Sequence, residues 1–255
     1  MNYGMQISAS GALAALYRQD VYTNNLANAS TAGFKPVMPT TRQRDAATVE
    51  DDLGPGSAAM LQRLGGGVHM APNHVRHEQG SLVQSENPLD IAILGDGFLM
   101  VRSPSAGGEP RLSRDGRLTL DRDGRLVRAS DGLPVLDASG GEITLPRDRR
   151  LSIDETGAIF AGIEKVATLG LVDVPDRSRM QPEGSGLFRV EAGVRREPAS
   201  GTILQGLTEA AAVDEFDAMM KVAESSRAFG SNLTMIGYHD RAMEQAINTL
   251  GRVTA

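Results

Sequence analysis

Residues 24–35 read Asn24-Asn25-Leu26-Ala27-Asn28-Ala29-Ser30-Thr31-Ala32-Gly33-Phe34-Lys35. Their chemistry is that of a helix ending. Amide and hydroxyl side chains gather where carbonyls lose their helical partners. Gly33 can take the left-handed conformation that stops a helix. Phe34 then supplies an apolar anchor, and Lys35 a cation near the negative end of the helix dipole. Upstream, Met5, Ala9, Ala12, Leu13 and Leu16 fall on one helical stripe, which turns polar through Asp20, Thr23 and Asn24. A helix over about residues 5–28 is therefore expected. Ser8, Ser10 and Gly11 make it weak in isolation, since Gly costs about 1 kcal/mol relative to Ala. Its small-sided stripe suits close helix approach, and it is expected to order only where neighbours bury it.

The other end of the chain carries a longer pattern. Met219, Val222, Ser226, Phe229, Leu233, Ile236, Asp240, Met243, Ile247 and Leu250 follow alternating steps of three and four. This predicts a helix within about residues 209–252. Some 40 helical residues would span about 60 Å. Two readings of the seam stand side by side. It could pack as an amphipathic helix on the β-region of its own chain, or pair with the N-terminal helix in a coiled-coil-like arrangement.

Between the helical ends the pattern changes. Residues 36–84 form an extended connector broken by Pro36, Pro39, Gly54, Pro55, Gly56 and Gly65-Gly66-Gly67, with a short helix near Ala58–Leu64. From Leu89 strands begin. Asp115-Gly116, Asp123-Gly124 and Asp131-Gly132 recur every eight residues, and Asp-Gly between short apolar runs is a hairpin signal. Strands are expected at 89–94, 98–101, 118–120, 126–128, 133–136, 143–145, 151–153, 159–162 and 166–174, the last a central one. The fold class is thus α+β, with terminal helices and a central antiparallel β-sandwich or partly open barrel. The division expected is 1–35 plus 207–255 for the helical part, 36–84 for the connector and 85–206 for the β-domain.

Composition narrows the function. A net charge of -6 over 255 residues leaves no basic footprint, and aromatics at 4% offer no base-stacking platform, so no nucleic-acid partner is expected. The chain has no cysteine, which removes disulfides, thiolate metal sites and a Cys nucleophile. No run reaches about 18 apolar residues, so membrane insertion is not expected. The start of the chain lacks the basic and apolar regions of a Sec-type signal, so export would need another route. His69, His74 and His77 sit close together beside Glu78, but in a Gly/Pro-rich stretch without helical ligand spacing; a solvated loop is expected, not a zinc site. Asp121-Arg122-Asp123-Gly124 opens like a calcium loop that nothing completes, which leaves a hairpin turn. Gly65-Gly66-Gly67 lacks the Lys-Ser or Lys-Thr of a phosphate loop, and Ser185 lacks nucleophile-elbow spacing. No catalytic, cofactor or metal site is expected.

Residues 24–35 closely resemble the N-terminal signature of the flagellar rod and hook proteins, the axial family of the bacterial flagellum. Asn87-Pro88-Leu89-Asp90-Ile91-Ala92-Ile93-Leu94-Gly95-Asp96-Gly97-Phe98 is similar to the start of that family's β-domain. Ser225-Ser226-Arg227-Ala228-Phe229 and the helix after it resemble the C-terminal segment. Leu99 stands where a second aromatic is common, and Gly206-Leu207-Thr208-Glu209-Ala210 where an Asn-rich stretch is common. The resemblance implies a subunit of the basal-body rod, of proximal or distal type. Its terminal helices would form the inner core of a tube that carries torque to the hook. Its partners would be further copies, other rod and hook subunits, and the flagellar type III export apparatus. The expected assembly residues are Leu13, Leu16, Asn24, Asn25, Leu26, Asn28, Gly33, Phe34, Phe229, Leu233, Ile236, Met243, Ile247 and Leu250, with the seam packing on the stripe around Leu13 and Leu16. The competing readings are a β-sandwich enzyme acting on peptidoglycan, marked by two carboxylates facing across a cleft, and a coiled-coil adaptor.

Overall fold

The computed structural model describes residues 3–45, 65–105 and 108–250. The helix expected near Ala58–Leu64 lies outside the described residues. Two compact units emerge. One takes the described residues of Met1–Ala27, Val37–His74 and Asp214–Ala255; the other takes Asn28–Pro36 and Val75–Val213.

The helical unit holds α1 (Tyr3–Ala27), α2 (Glu215–Leu250) and strands β1 (Val37–Arg44) and β2 (Gly67–Val75), which pair with each other. These two strands occupy the stretch expected as a connector. Helix α2 starts where Asp214 caps it: the Asp214 carboxylate accepts from the Asp217 N–H at 3.1 Å. Glu215 and Asp217 add negative charge in the first turn. The helix begins later than the apolar spacing suggested, because Leu207–Glu209 is spent on a strand.

The second unit is built of short antiparallel strands. We number them β3 (Leu82–Gln84), β4 (Ile91–Leu94), β5 (Phe98–Val101), β6 (Arg111–Ser113), β7 (Leu118–Leu120), β8 (Leu126–Arg128), β9 (Leu151–Ile153), β10 (Ala158–Ala161), β11 (Glu164–Thr168), β12 (Leu171–Asp173), β13 (Met180–Gly184), β14 (Leu187–Val190), β15 (Glu197–Pro198), β16 (Thr202–Gln205) and β17 (Leu207–Glu209). The largest sheet runs β13-β14-β6-β5-β12-β15. Smaller sheets are β11-β10-β9, β16-β4, β17-β3 and β7-β8. The chain is therefore α+β with an antiparallel sheet-rich middle. Among the described residues the strands close no barrel.

Asp123-Gly124 turns as its chemistry requires, whereas Asp115-Gly116 makes no hairpin: β7 pairs with β8 and not with β6, and the Gly116 carbonyl accepts from Ile91 N–H at 2.9 Å. Between β7 and β8, Asp121 Oδ1 accepts from the N–H groups of Asp123 and Arg125, both at 2.9 Å, and Gly124 takes φ +80°. The long strand expected over 166–174 is instead two strands in two sheets. The break falls at Gly170, whose N–H bonds Leu136 O and whose carbonyl accepts from Met100 N–H. A side chain there would strike Asp137 O at 2.5 Å. The runs 133–136 and 143–145 make isolated bridges in place of strands. One buried cluster gathers Ile91, Leu99, Leu118, Leu126, Ile143 and Ile159; another gathers Phe98, Met100, Leu112, Val174 and Phe188.

Candidate assembly interface

In the helical unit α1 runs antiparallel to α2. A side chain on Gly4 would meet His239 Cε1 at 2.6 Å, and one on Gly11 would meet Asn232 Oδ1 at 2.7 Å. Lys221 Nζ lies 5.8 Å from the Tyr22 ring centroid. The buried residues of α1 are Ser8, Ala12, Ala14, Ala15 and Asn25. Small side chains let the two backbones approach, which is why glycines sit in a helix that they weaken.

The seam on α2 differs from the expected one by one residue at alternate positions. Ala218 and Ser225 are buried, and Val222, Phe229, Asn232, Ile236 and His239 are half-buried. Val222, Phe229 and Ile236 belong to both patterns. Met219, Ser226, Leu233 and Asp240 do not face α1; Ala218, Ser225, Asn232 and His239 take their place. Asn232 and His239 fill the space that Gly11 and Gly4 leave open, and Met219 and Leu233 turn outward. Leu13, Leu16, Leu233, Met243 and Ile247 are all exposed. The side chain of Leu250 lies outside the described residues.

The Asn-rich segment does more than end a helix. Asn25 is buried, donates to Val37 O at 2.7 Å and accepts from Val37 N–H at 2.9 Å, so its side chain pairs with β1 as a strand would. Arg18 donates to Thr41 Oγ1 at 2.9 Å, and Ser10 Oγ accepts from Val68 N–H at 3.2 Å, holding both strands to α1. Asn24 is exposed and Leu26 half-buried. Helix α1 ends at Ala27, earlier than Gly33, and a turn follows in which Thr31 donates to Asn28 through backbone and hydroxyl.

Residues 28–36 then join the β-rich unit. Gly33 takes φ +67° and its N–H bonds Glu209 O at 2.8 Å. A side chain at Gly33 would overlap the Arg114 backbone, so close approach, and not helix termination, requires glycine. Phe34 is half-buried and its carbonyl accepts from Ala212 N–H at 3.0 Å. Lys35 lies eight residues past the end of α1 and serves no helix dipole. It is 2% exposed and ion-paired with Glu209, itself 1% exposed. Its ammonium also donates to Glu78 O at 2.6 Å.

Glu209 is the centre of a cluster that sequence reasoning missed. Strand β17 presents it by pairing Glu209 with Leu82 of β3. It accepts from Lys35, from Gly80 N–H at 2.9 Å and from Arg114 Nη1 at 3.3 Å. Arg114 also caps Gly95 O at 2.6 Å and lies over the Phe98 ring at 5.1 Å. Burial pushes Lys35 below the usual lysine range, while Glu209 pulls it back. His77 is not in a solvated loop. Its ring packs on Phe98 and Phe188 at 5.8 and 5.4 Å, and both ring nitrogens are buried without a hydrogen-bond partner. Burial, then Arg177, Lys35 and Arg114, push its pKa down to about 4. His69 and His74 lie exposed on β2. Among the described residues no group of His, Cys, Asp or Glu is placed to hold a metal ion, and no helix is long and apolar enough to cross a membrane.

Comparison with known proteins meets this architecture at two places. Residues 5–35 match the family described as "Flagella basal body rod protein", and residues 92–161 match "Flagellar hook protein FlgE/F/G D1 domain". The class is thus that of the flagellar axial proteins. The chain is 31% identical to the flagellar basal-body rod protein FlgF of Caulobacter vibrioides, over 99% of this chain and 100% of that one. It is 27% identical to FlgF of Rhizobium meliloti, over 98% and 99%, and 26% identical to FlgG of Caulobacter vibrioides, over 94% and 96%. The chain belongs to the flagellar basal-body rod protein family.

Proposed function

We propose that this chain is a structural, non-enzymatic subunit of the flagellar basal-body rod, assembling through its terminal helices into the axial tube that transmits torque to the hook. The observation that carries this reading is the pairing of an end-to-end family match with helices that expose Leu13, Leu16, Leu233, Met243 and Ile247 to solvent. Exposed apolar side chains aligned on helices are groups that neighbours bury. The assembly role of Asn24, Asn25, Leu26, Asn28, Gly33 and Phe34 is indirect on this reading. They fix the chain leaving α1, and so hold the helix where copies meet. The exposed apolar faces of α1 and α2 supply coiled-coil-like contacts, and the sheet-rich middle is a sandwich-like body. Partners are further copies and other rod and hook subunits, and export runs through the flagellar type III apparatus. The peptidoglycan-enzyme alternative draws no support from the relatives. The test is a strain lacking the gene. The tagged chain should restore motility and co-purify with basal bodies; rods of normal composition without it would refute the reading.

A further inference from the structure

The chain enters the β-rich unit at Val75, and residues 76–80 then lie on that unit as a strap outside any strand. The strap's polar contacts are few and scattered. Arg76 N–H donates to Pro36 O at 2.9 Å, Gln79 Nε2 to Ile93 O at 3.0 Å, and Gly80 N–H to Glu209 Oε1 at 2.9 Å. Gln79 Oε1 accepts from Gly95 N–H at 3.1 Å, and Glu78 O from the Lys35 ammonium at 2.6 Å. Arg76, Glu78 and Gln79 are exposed, so water can replace such bonds at small net cost. The side chain that the strap turns inward is His77, whose ring lies against Phe98 of β5 and Phe188 of β14.

That seat suits a neutral ring and not a charged one. Both ring nitrogens are buried and, among the described residues, meet no hydrogen-bond partner, so an imidazolium would bring two charged donors and find no acceptor. The charges that act on the ring are mostly of its own sign. They are Arg177 from the turn after β12, Lys35 from the 28–36 segment and Arg114 after β6, against one carboxylate, Asp173 of β12. Asp173 and Asp96 both pair with Arg177, Glu209 pairs with Lys35 and Arg114, and within the strap Arg76 pairs with Glu78. Phe98 offers little to a further cation, because the guanidinium groups of Arg114 and Arg177 already stand 5.1 and 5.9 Å from its centroid. We infer that His77 is an acid-released latch: on protonation its ring leaves its place between Phe98 and Phe188, and residues 76–80 lift away while the sheet holding β5, β6 and β14 stays folded. The strap can open alone because it shares no ladder with that sheet, whose Leu99, Val101 and Leu112 are fully buried.

A ring that titrates at 6.5 when released and at about 4 when seated makes release about 20-fold more favourable at pH 5 than at pH 7. Hydrogen exchange of the full chain at these two pH values, corrected for the intrinsic pH dependence of exchange, tests the latch. The amides of Arg76, Gly80 and Gly95 should lose protection by about 20-fold at pH 5. Low urea should leave their exchange unchanged, since a local opening exposes little surface, whereas the amides of β5 and β6 should stay better protected and yield as urea rises. His77→Phe should remove the pH dependence at the three amides. Arg177→Gln gives a second arm should the new ring disturb the packing: with one cation fewer around the seated imidazolium, the loss at pH 5 should shrink. Equal protection at the two pH values overturns the latch. So does exchange at the three amides that rises with urea as steeply as that of β5 and β6, and so does a loss of undiminished size in both variants.

Discussion

Glu209 shows how much one carboxylate can hold together. Two buried cations, Lys35 and Arg114, depend on it, and they reach it from segments 174 and 95 residues away. A buried pair broken by removing one partner leaves an uncompensated charge, at a cost of about 3–5 kcal/mol. Glu209→Gln keeps the shape and removes the charge. Its urea unfolding midpoint should fall accordingly, and an unchanged midpoint would mean that the cations find other partners. His77 predicts a pH effect of definite sign. Its ordinary pKa of 6.5 drops to about 4 in the fold, so the unfolded chain takes up the proton first. Stability should fall as pH drops from about 6.5 towards 4. Asp96, Asp137 and Asp154 have pKa values held below 3.8, so their effect comes at still lower pH. His77→Phe, placed between Phe98 and Phe188, should flatten the melting temperature across pH 4.5–6.5. A slope as steep as the parent's would assign the effect elsewhere.

At the scale of elements, α1 holds to α2 through the absence of side chains. Gly11→Val would drive a branched carbon into Asn232 and should loosen the pair by about 1–3 kcal/mol. Hydrogen exchange checks this: amides of residues 3–27 should lose protection while those of β5 and β6 keep it. The apolar period of α2 was legible in the sequence, since steps of three and four define a face. Which of two adjacent faces meets α1 was not, because Met219 and Leu233 look better on hydrophobicity than Ser225 and Asn232. Only the space that Gly4 and Gly11 leave on the facing helix selects the more polar set. The hairpin at 118–128 was equally legible, its turn being decided by one carboxylate and the glycine beside it. The split of 166–174 was not, since Gly170 breaks the strand through contacts with Leu136 and Asp137, distant in sequence.

At the scale of the whole molecule, residues 28–35 and 207–213, grouped with the helices on sequence grounds, lie in the β-rich unit. A truncation series follows. Deleting residues 1–27 should abolish rod incorporation and leave the melting of the β-rich unit unchanged. Deleting residues 1–36 should also remove Lys35 and the Gly33–Glu209 hydrogen bond, and lower that melting temperature by at least about 4 °C. Equal melting of the two truncations would show that the segment adds nothing to the unit it joins. The sequence by itself determined what rests on near neighbours: helical ends, the Asp123-Gly124 turn, and the axial-protein signature in residues 24–35. Tertiary structure decided which face of α2 is covered, why Gly33 is glycine, and that Lys35 and the ring nitrogens of His77 are buried. Periodicity and turns are set by contacts within a few residues, whereas desolvation and facing depend on groups that meet only once the chain has folded.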